Sequence, residues 1–317
     1  MPNSPLTPPP SPFPIPRRDP AVLPLSAYRD AIALDTPFTP AAPPSPADRL
    51  DTHLRETLRL MNGDPSIARL GLSPGSLPEL TDPATARQVL RALLTVRDPG
   101  SLPEGTDQEL DALLAGERDL RPTTHPAGLP TVDGTPDGRT SLWRGDITTL
   151  ATDAIVNAAN SGLLGCFRPL HPCIDNAIHS AAGPRLRDDC KTVYDAQGAP
   201  EPTGVAKVTR GYHLPARYVL HTVGPVVQGR PAAGDAEALA SSYRACLDLA
   251  AELDDIRTVG LCAISTGVFG YPKEDAAPVA VRTVADWLDA HPGRFDRVVF
   301  TVFGEDDENA YRRALGE

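Results

Sequence analysis

The chain has 317 residues, a formal net charge of −11 and 41% apolar residues. No stretch approaches the about 18 uninterrupted apolar residues of a membrane span, and the first twenty residues lack the apolar core of a secretory signal. The negative charge is spread along the chain and argues against non-specific nucleic-acid binding, while five cysteines without a secretion signal point to reduced thiols and a cytoplasmic location.

Of the 36 prolines, 15 fall in the first fifty residues. Proline fixes φ and removes a backbone donor. Residues 1–46 are therefore predicted to be a disordered, solvated proline-rich tail rather than a docking ligand, with at most a short helix over Ala27–Leu34. Residues 47–140 read as a helical extension and linker. Leu50, Leu54, Leu58 and Met61 recur at helical spacing. A second helix has its N-cap near Thr81, Pro83 in its first turn, an apolar face of Val89, Leu90, Leu93 and Leu94, and Pro99 as its stop. Thr106 and Glu109 have the spacing of a capping box before Leu110, Leu113 and Leu114. Three such short helices are expected to pack on the next domain rather than fold alone, and 125–138 is a Pro/Gly/Thr linker.

Residues 141–317 change texture. Apolar runs at 141–147, 153–158, 206–214, 218–224, 258–266 and 297–303 alternate with helical patterns at Ile174–Ala182, Ala236–Leu253, Lys273–Asp289 and Glu305–Leu315. Such alternation indicates an α/β fold with a mostly parallel sheet buried on both faces. Ligands of such sheets sit at the carboxyl ends of the strands.

Three strand-to-helix turns carry chemistry. After 153–158, Cys166, His171 and Cys173 lie within eight residues. Cys-x4-His-x-Cys lacks the fourth ligand of a closed structural zinc site but suits one zinc ion with an open fourth position; the alternative is two buried thiols and a histidine that are neighbours by chance. Cys246 and Cys262 sit on apolar helix and strand faces and read as core. Asp175 and His179 share a helix face at i and i+4. The acid could orient a hydroxyl or take a proton, or could simply serve the helix dipole; the histidine could equally be a packed one. After 258–263, the turn Ser265, Thr266, Gly267, Val268, Phe269, Gly270, Tyr271 exposes backbone donors before a helix, a recipe for holding a diphosphate. At the end of the first strand, Asp146 could accept from an adenine amino group or cap the turn that starts at Ile147.

The runs GDITTLATDAIVNAANSGLLG, DNAIHSAAGP, HTVGP and ISTGVFGYP, in that order, resemble the macrodomain family, which binds ADP-ribose. The insertion GCFRPLHPCIDN resembles the zinc-containing branch, whose members are ADP-ribosyl hydrolases, and LRALLTVRDP resembles that branch's N-terminal extension. The resemblance implies a three-layer α/β/α fold. Asp146 and Ile147 would contact the adenine. Asn157 and Asn160 match the paired asparagines, the second near the distal ribose and, with Asp175, in the catalytic loop. Cys166, His171 and Cys173 would be the Zn2+ ligands, and His179 follows the acid at the family's spacing. Residues 265–270 would bind the diphosphate, with Phe269 or Tyr271 flanking the ribose. The commoner hydrolase branch has glycines before its acid where this chain has FRPLHPC, so a glycine-only mechanism is not assumed. The implied activity is zinc-dependent removal of mono-ADP-ribose from protein side chains, with ADP-ribose or an ADP-ribosylated protein as partner. A non-catalytic ADP-ribose reader and an O-acetyl-ADP-ribose deacetylase are the alternatives.

Overall fold

The structure, a computed structural model, describes residues 22–40, 48–132 and 138–316. Among these residues, strands β1 (Thr140–Arg144), β2 (Ala154–Ala158), β3 (Ala206–Arg210), β4 (Tyr218–Thr222), β5 (Thr258–Cys262) and β6 (Arg297–Val302) form one sheet in the order β1-β6-β5-β2-β4-β3. All neighbours pair in parallel except β3, which runs antiparallel to β4. Val156, Val219, Val259 and Val298 in the inner strands are fully buried, as expected when helices cover both faces. Helices α4 (Ile174–Ala182) and α5 (Pro184–Gln197) pack on β2 and β3; α6 (Ala233–Ala251), α7 (Lys273–Ala290) and α8 (Glu305–Leu315) pack on one another and against β3, β4, β1 and β6. The result is a macrodomain-type three-layer α/β/α fold. Cys246 and Cys262 are in its core, as expected.

The run at 206–214 ends as a strand at Arg210, because the chain turns back there; Gly211 N donates to Arg217 O. Helix α5 went unread in the sequence because Arg185, Arg187, Asp188, Asp189 and Lys191 resemble a solvated charge run. Its apolar face is nevertheless regular, with Leu186, Cys190, Val193 and Tyr194 buried. It opens on Pro184 and stops at Gly198, which is left-handed at φ +68°.

The tail expectation needs correction over residues 22–40; residues 1–21 and 41–47 lie outside the described residues. Leu25–Ala27 form a 3-10 turn in place of the helix expected over Ala27–Leu34, and Leu25, Tyr28, Ile32 and Leu34 enter the main core. The Tyr28 hydroxyl accepts from Val208 N at 3.0 Å. This segment covers edge strand β3 and satisfies one of its free donors. The four apolar side chains outweigh the local proline content.

The extension consists of α1 (Asp48–Met61), α2 (Pro83–Val96) and α3 (Thr106–Leu120). Asp82, not Thr81, caps α2 by accepting from Thr85 N at 2.9 Å. The expected capping box is absent: Gly105, at φ +79°, is the N-cap of α3, and Glu109 instead meets His53 Nδ1 at 2.6 Å. The three helices have a small core of their own, with Leu54, Met61, Leu90, Leu93, Leu110 and Leu113 buried together. They also dock on the sheet domain through polar contacts. The Arg187 guanidinium donates to Leu94 O at 2.8 Å and Arg97 O at 2.6 Å. Asp111 receives Arg185 and lies 2.9 Å from His213 Nε2. Within the linker, Pro126–Gly128 form a 3-10 turn, and Thr124 bridges to Leu150.

No helix among the described residues is long and apolar enough to cross a membrane.

Candidate functional site

The five parallel strands deliver their carboxyl ends to one edge of the sheet. The ends of β1, β2 and β5, the loops that follow them and the start of α4 hold the residues singled out above.

At the centre is Asp175, on the first turn of α4 and only 5% exposed. Its Oδ1 accepts from Asn157 Nδ2 at 2.8 Å, and its Oδ2 from Asn160 Nδ2 at 3.4 Å. Burial pushes its pKa up to about 7, against the opposing hydrogen bond from Asn157. His179 Nε2 approaches Asp175 Oδ1 to 3.5 Å without forming a hydrogen bond. Burial holds the His179 imidazole neutral, well below its ordinary pKa.

Asn160 also donates to Gly165 O at 3.1 Å and accepts from Gly162 N at 2.9 Å, which folds the loop after β2 over the acid. Gly165 is needed there: its φ is +82°, and a Cβ would come within 3.0 Å of the His179 ring. Leu163 and Leu170, at φ +59° and +56°, are left-handed without being glycine, so the loop holds strain that the surrounding contacts must offset.

Cys166, His171 and Cys173 converge beside this acid, with their donor atoms all within 4.8 Å of one another. Cys166 Sγ lies 3.7 Å from His171 Nδ1. A tetrahedral ion with Zn–S about 2.3 Å and Zn–N about 2.0 Å spaces its S and N donors about 3.5 Å apart, so the set fits zinc. A hydrogen bond from the Cys173 thiol draws the Cys166 pKa down to about 6, and the same bond keeps the proton on Cys173. One sulfur is thus already disposed to be a thiolate. Cys173 is also the N-cap of α4, accepting from Asn176 N at 3.4 Å.

Two residues that sequence reasoning passed over hold this loop. Asn176 Nδ2 donates to Arg168 O at 3.2 Å and His171 O at 3.1 Å, while its Oδ1 accepts from Thr95 Oγ1 of α2 at 3.2 Å. Arg187 Nε donates to Leu164 O at 2.8 Å, and its guanidinium lies 4.7 Å from the Phe167 ring centre. Arg187 therefore joins the loop to the extension carbonyls described above.

The loop after β5 presents backbone. Ser265 is left-handed at φ +66°, and Gly270 N closes on Gly267 O at 3.1 Å. Gly270 is at φ +72°, and a Cβ there would lie 2.7 Å from Val227 O. Thr266 Oγ1 donates to Ala263 O at 3.0 Å. Gly267 is open, Val268 is 63% exposed, and Phe269 is half-buried. Tyr271 does not reach the rim: it is 2% exposed and belongs to the core, which leaves Phe269 as the aromatic of this turn.

Asp146 takes the capping role. Its Oδ1 caps the turn Ile147–Thr149, accepting from Thr148 N at 2.9 Å, while Oδ2, on a half-exposed side chain, lies 4.0 Å from Arg121. Ile147 is buried beneath it. Next to them, just past β6, Phe303 is 82% exposed; Gly145 N donates to Val302 O at 2.9 Å and fixes this neighbourhood. A fully presented phenyl at a strand's carboxyl end offers a face for a planar base. The sequence signal was an aromatic closing an otherwise buried strand run.

These loops gather the candidate residues at the carboxyl edge of a three-layer α/β/α sheet domain. A family model described as "Macro domain" matches residues 156–280. A Treponema medium protein named protein-ADP-ribose hydrolase is 45% identical over 227 residues, spanning 72% of this chain and 86% of its own length. A Staphylococcus aureus protein of the same name is 48% identical over 175 residues, 55% of this chain and 65% of its own. Among solved structures, the Trypanosoma brucei macrodomain in complex with ADP-ribose superposes with a TM-score of 0.55 at 32% identity, covering 72% of this chain and 95% of that one. The chain belongs to the macrodomain family.

Proposed function

We propose that the protein hydrolyses the bond joining mono-ADP-ribose to a protein side chain, with a zinc ion held by Cys166, His171 and Cys173. The observation that carries the reading is the buried Asp175, held by two asparagine amides, beside a zinc-spaced donor set and at the same sheet edge as a backbone-donor loop. The names of the Treponema and Staphylococcus relatives and the ADP-ribose-bound trypanosomal structure support it.

In this reading Phe303 and Ile147 take the adenine faces, and Asp146 Oδ2 accepts from its amino group. Backbone N–H groups of the turn 265–269 bind the diphosphate without paired cations, with Gly270 N closing the turn on Gly267 O, which suits an acidic protein. Asn160 and Asn157 fix the distal ribose and the acid. Asp175 takes the proton of the attacking water as the water oxygen bonds to the ribose anomeric carbon; the side-chain atom leaves with the electron pair of the broken bond and, where it needs a proton, takes it from Asp175 or solvent. When bound, zinc supplies a Lewis acid for an oxygen on this ribose. In the same reading the free cysteines suit a reducing compartment such as the cytoplasm.

The experiment is release of ADP-ribose from a mono-ADP-ribosylated protein, with and without chelator, alongside zinc quantification. The wild type should carry about one zinc per chain and lose turnover on chelation. Cys173→Ser should lower zinc affinity by about 100-fold or more, since a first-ligand loss exceeds the effect of an outer-shell partner. Full zinc occupancy in that variant would remove Cys173 from the ligand set. Tight ADP-ribose binding without release would make the protein a reader instead.

A further inference from the structure

Behind Asp175 lies a second buried group that the hydrolytic reading does not use. His179, Cys190 and His221 bring their donor atoms within 4.8 Å of one another, all buried. His221, on β4, has both ring nitrogens engaged. Its Nδ1 is 3.2 Å from Asn157 Nδ2, and its Nε2 is 2.9 Å from Thr209 Oγ1 of β3. Cys190 Sγ is farther away, at 3.8 Å. A metal would have to displace the threonine bond, so the cluster is wired as a hydrogen-bond relay.

The donor inventory fixes its direction. Asn157 Nδ2 has two hydrogens and no acceptor capacity. One goes to Asp175 Oδ1, so the other goes to His221 Nδ1, which must accept. Full burial keeps the imidazole neutral, and its single proton is therefore on Nε2, donated to Thr209 Oγ1. Turning the Asn157 amide over would aim its oxygen at the Asp175 carboxylate oxygen, a contact between two acceptors, so the carboxylate fixes the amide orientation. We propose that His221 is a positioning residue for the acid: its Nε2–H tautomer, held by Thr209, locks the Asn157 amide so that its N–H faces Asp175. The relay Thr209–His221–Asn157–Asp175 connects edge strand β3, covered by the Tyr28 segment, to the centre of the pocket. This deepens the hydrolase reading and rests on it for its kinetic consequence, though not for the tautomer itself.

Two measurements on the full chain test it. Long-range 1H–15N correlation of the histidine rings, with His221→Asn assigning the His221 signals, should show Nδ1 unprotonated and Nε2 protonated. An Nδ1-protonated or charged ring overturns the proposal whether or not the protein hydrolyses anything. Kinetics on a mono-ADP-ribosylated protein give the second readout. His221→Leu removes the acceptor and should lower kcat at least 10-fold with KM within about 2-fold. His221→Asn can place an oxygen near the Nδ1 position and should stay within about 3-fold of wild type. Thr209→Val keeps the shape, frees the tautomer, and should lower kcat about 3-fold; it decides the matter if the leucine variant does not fold. Equal kcat in wild type, His221→Leu and Thr209→Val overturns the proposal. A wild type that binds ADP-ribose but never releases it from protein overturns the hydrolase reading and leaves the tautomer result to decide the relay.

Discussion

The two ends of the pocket are built in different ways. The loop after β2 is held by side chains: Asn160, Asn176 and Arg187 bind its carbonyls, and two of these tie it to the extension. The loop after β5 is held by backbone, its own through Tyr271 N to Ser265 O and Gly270 N to Gly267 O, and that of the segment after β4 through Val227 N to Phe269 O. Under the proposed function the difference follows from the task. A diphosphate needs several donors and tolerates small shifts, which main-chain N–H groups provide at little cost. Bond cleavage needs a few groups held to within a fraction of an ångström, which takes buried, over-determined side chains. The extension is, in this light, the outer wall of the chemical end rather than a separate appendage.

Arg187→Met attacks the side-chain end where it is most concentrated. It leaves the carbonyls of Leu164, Leu94 and Arg97 without their buried donor. The expected loss is on the order of 3 kcal/mol of stability, measured by urea unfolding, with turnover falling too. A loss below about 1 kcal/mol would show that the staple is dispensable. Gly270→Ala attacks the backbone end. A Cβ at φ +72°, 2.7 Å from Val227 O, should cost about 1–2 kcal/mol and weaken ADP-ribose binding about 10-fold by calorimetry, while zinc content stays unchanged. If zinc fell as well, the two ends would not be separable. Ser265→Gly should do least. The left-handed backbone suits glycine, and the anion is held by main chain, so ADP-ribose affinity should change less than about 5-fold and stability by less than about 1 kcal/mol. A 100-fold loss would transfer diphosphate binding to the Ser265 hydroxyl.

The same contrast governs what could be read before the structure. The β5 turn and the Cys166–Cys173 cluster are local in sequence, so spacing alone brings their residues forward as candidates. The inner strands were legible as continuous apolar runs, and α4, α6, α7 and α8 as helical patterns between them. What stayed hidden is non-local. Arg187 reaches carbonyls about ninety residues away, and a charge run such as RLRDDCK carries no sign that one arginine turns inward. His221 joins the site only because β4 lies beside β2, which pairs Asn157 with His221 in register. Tyr28 was masked by the surrounding prolines, although its burial depends on four apolar side chains and one hydroxyl. Tyr271 shows the converse: its place in a site-forming turn suggested a ligand contact, but its side chain fills the core.

The most direct test separates chemistry from binding at Asp175. In Asp175→Ala, release of ADP-ribose from a mono-ADP-ribosylated protein should fall by about 100-fold or more, while calorimetric ADP-ribose affinity stays within a few-fold of wild type. Unchanged release would remove Asp175 from the mechanism and contradict the account.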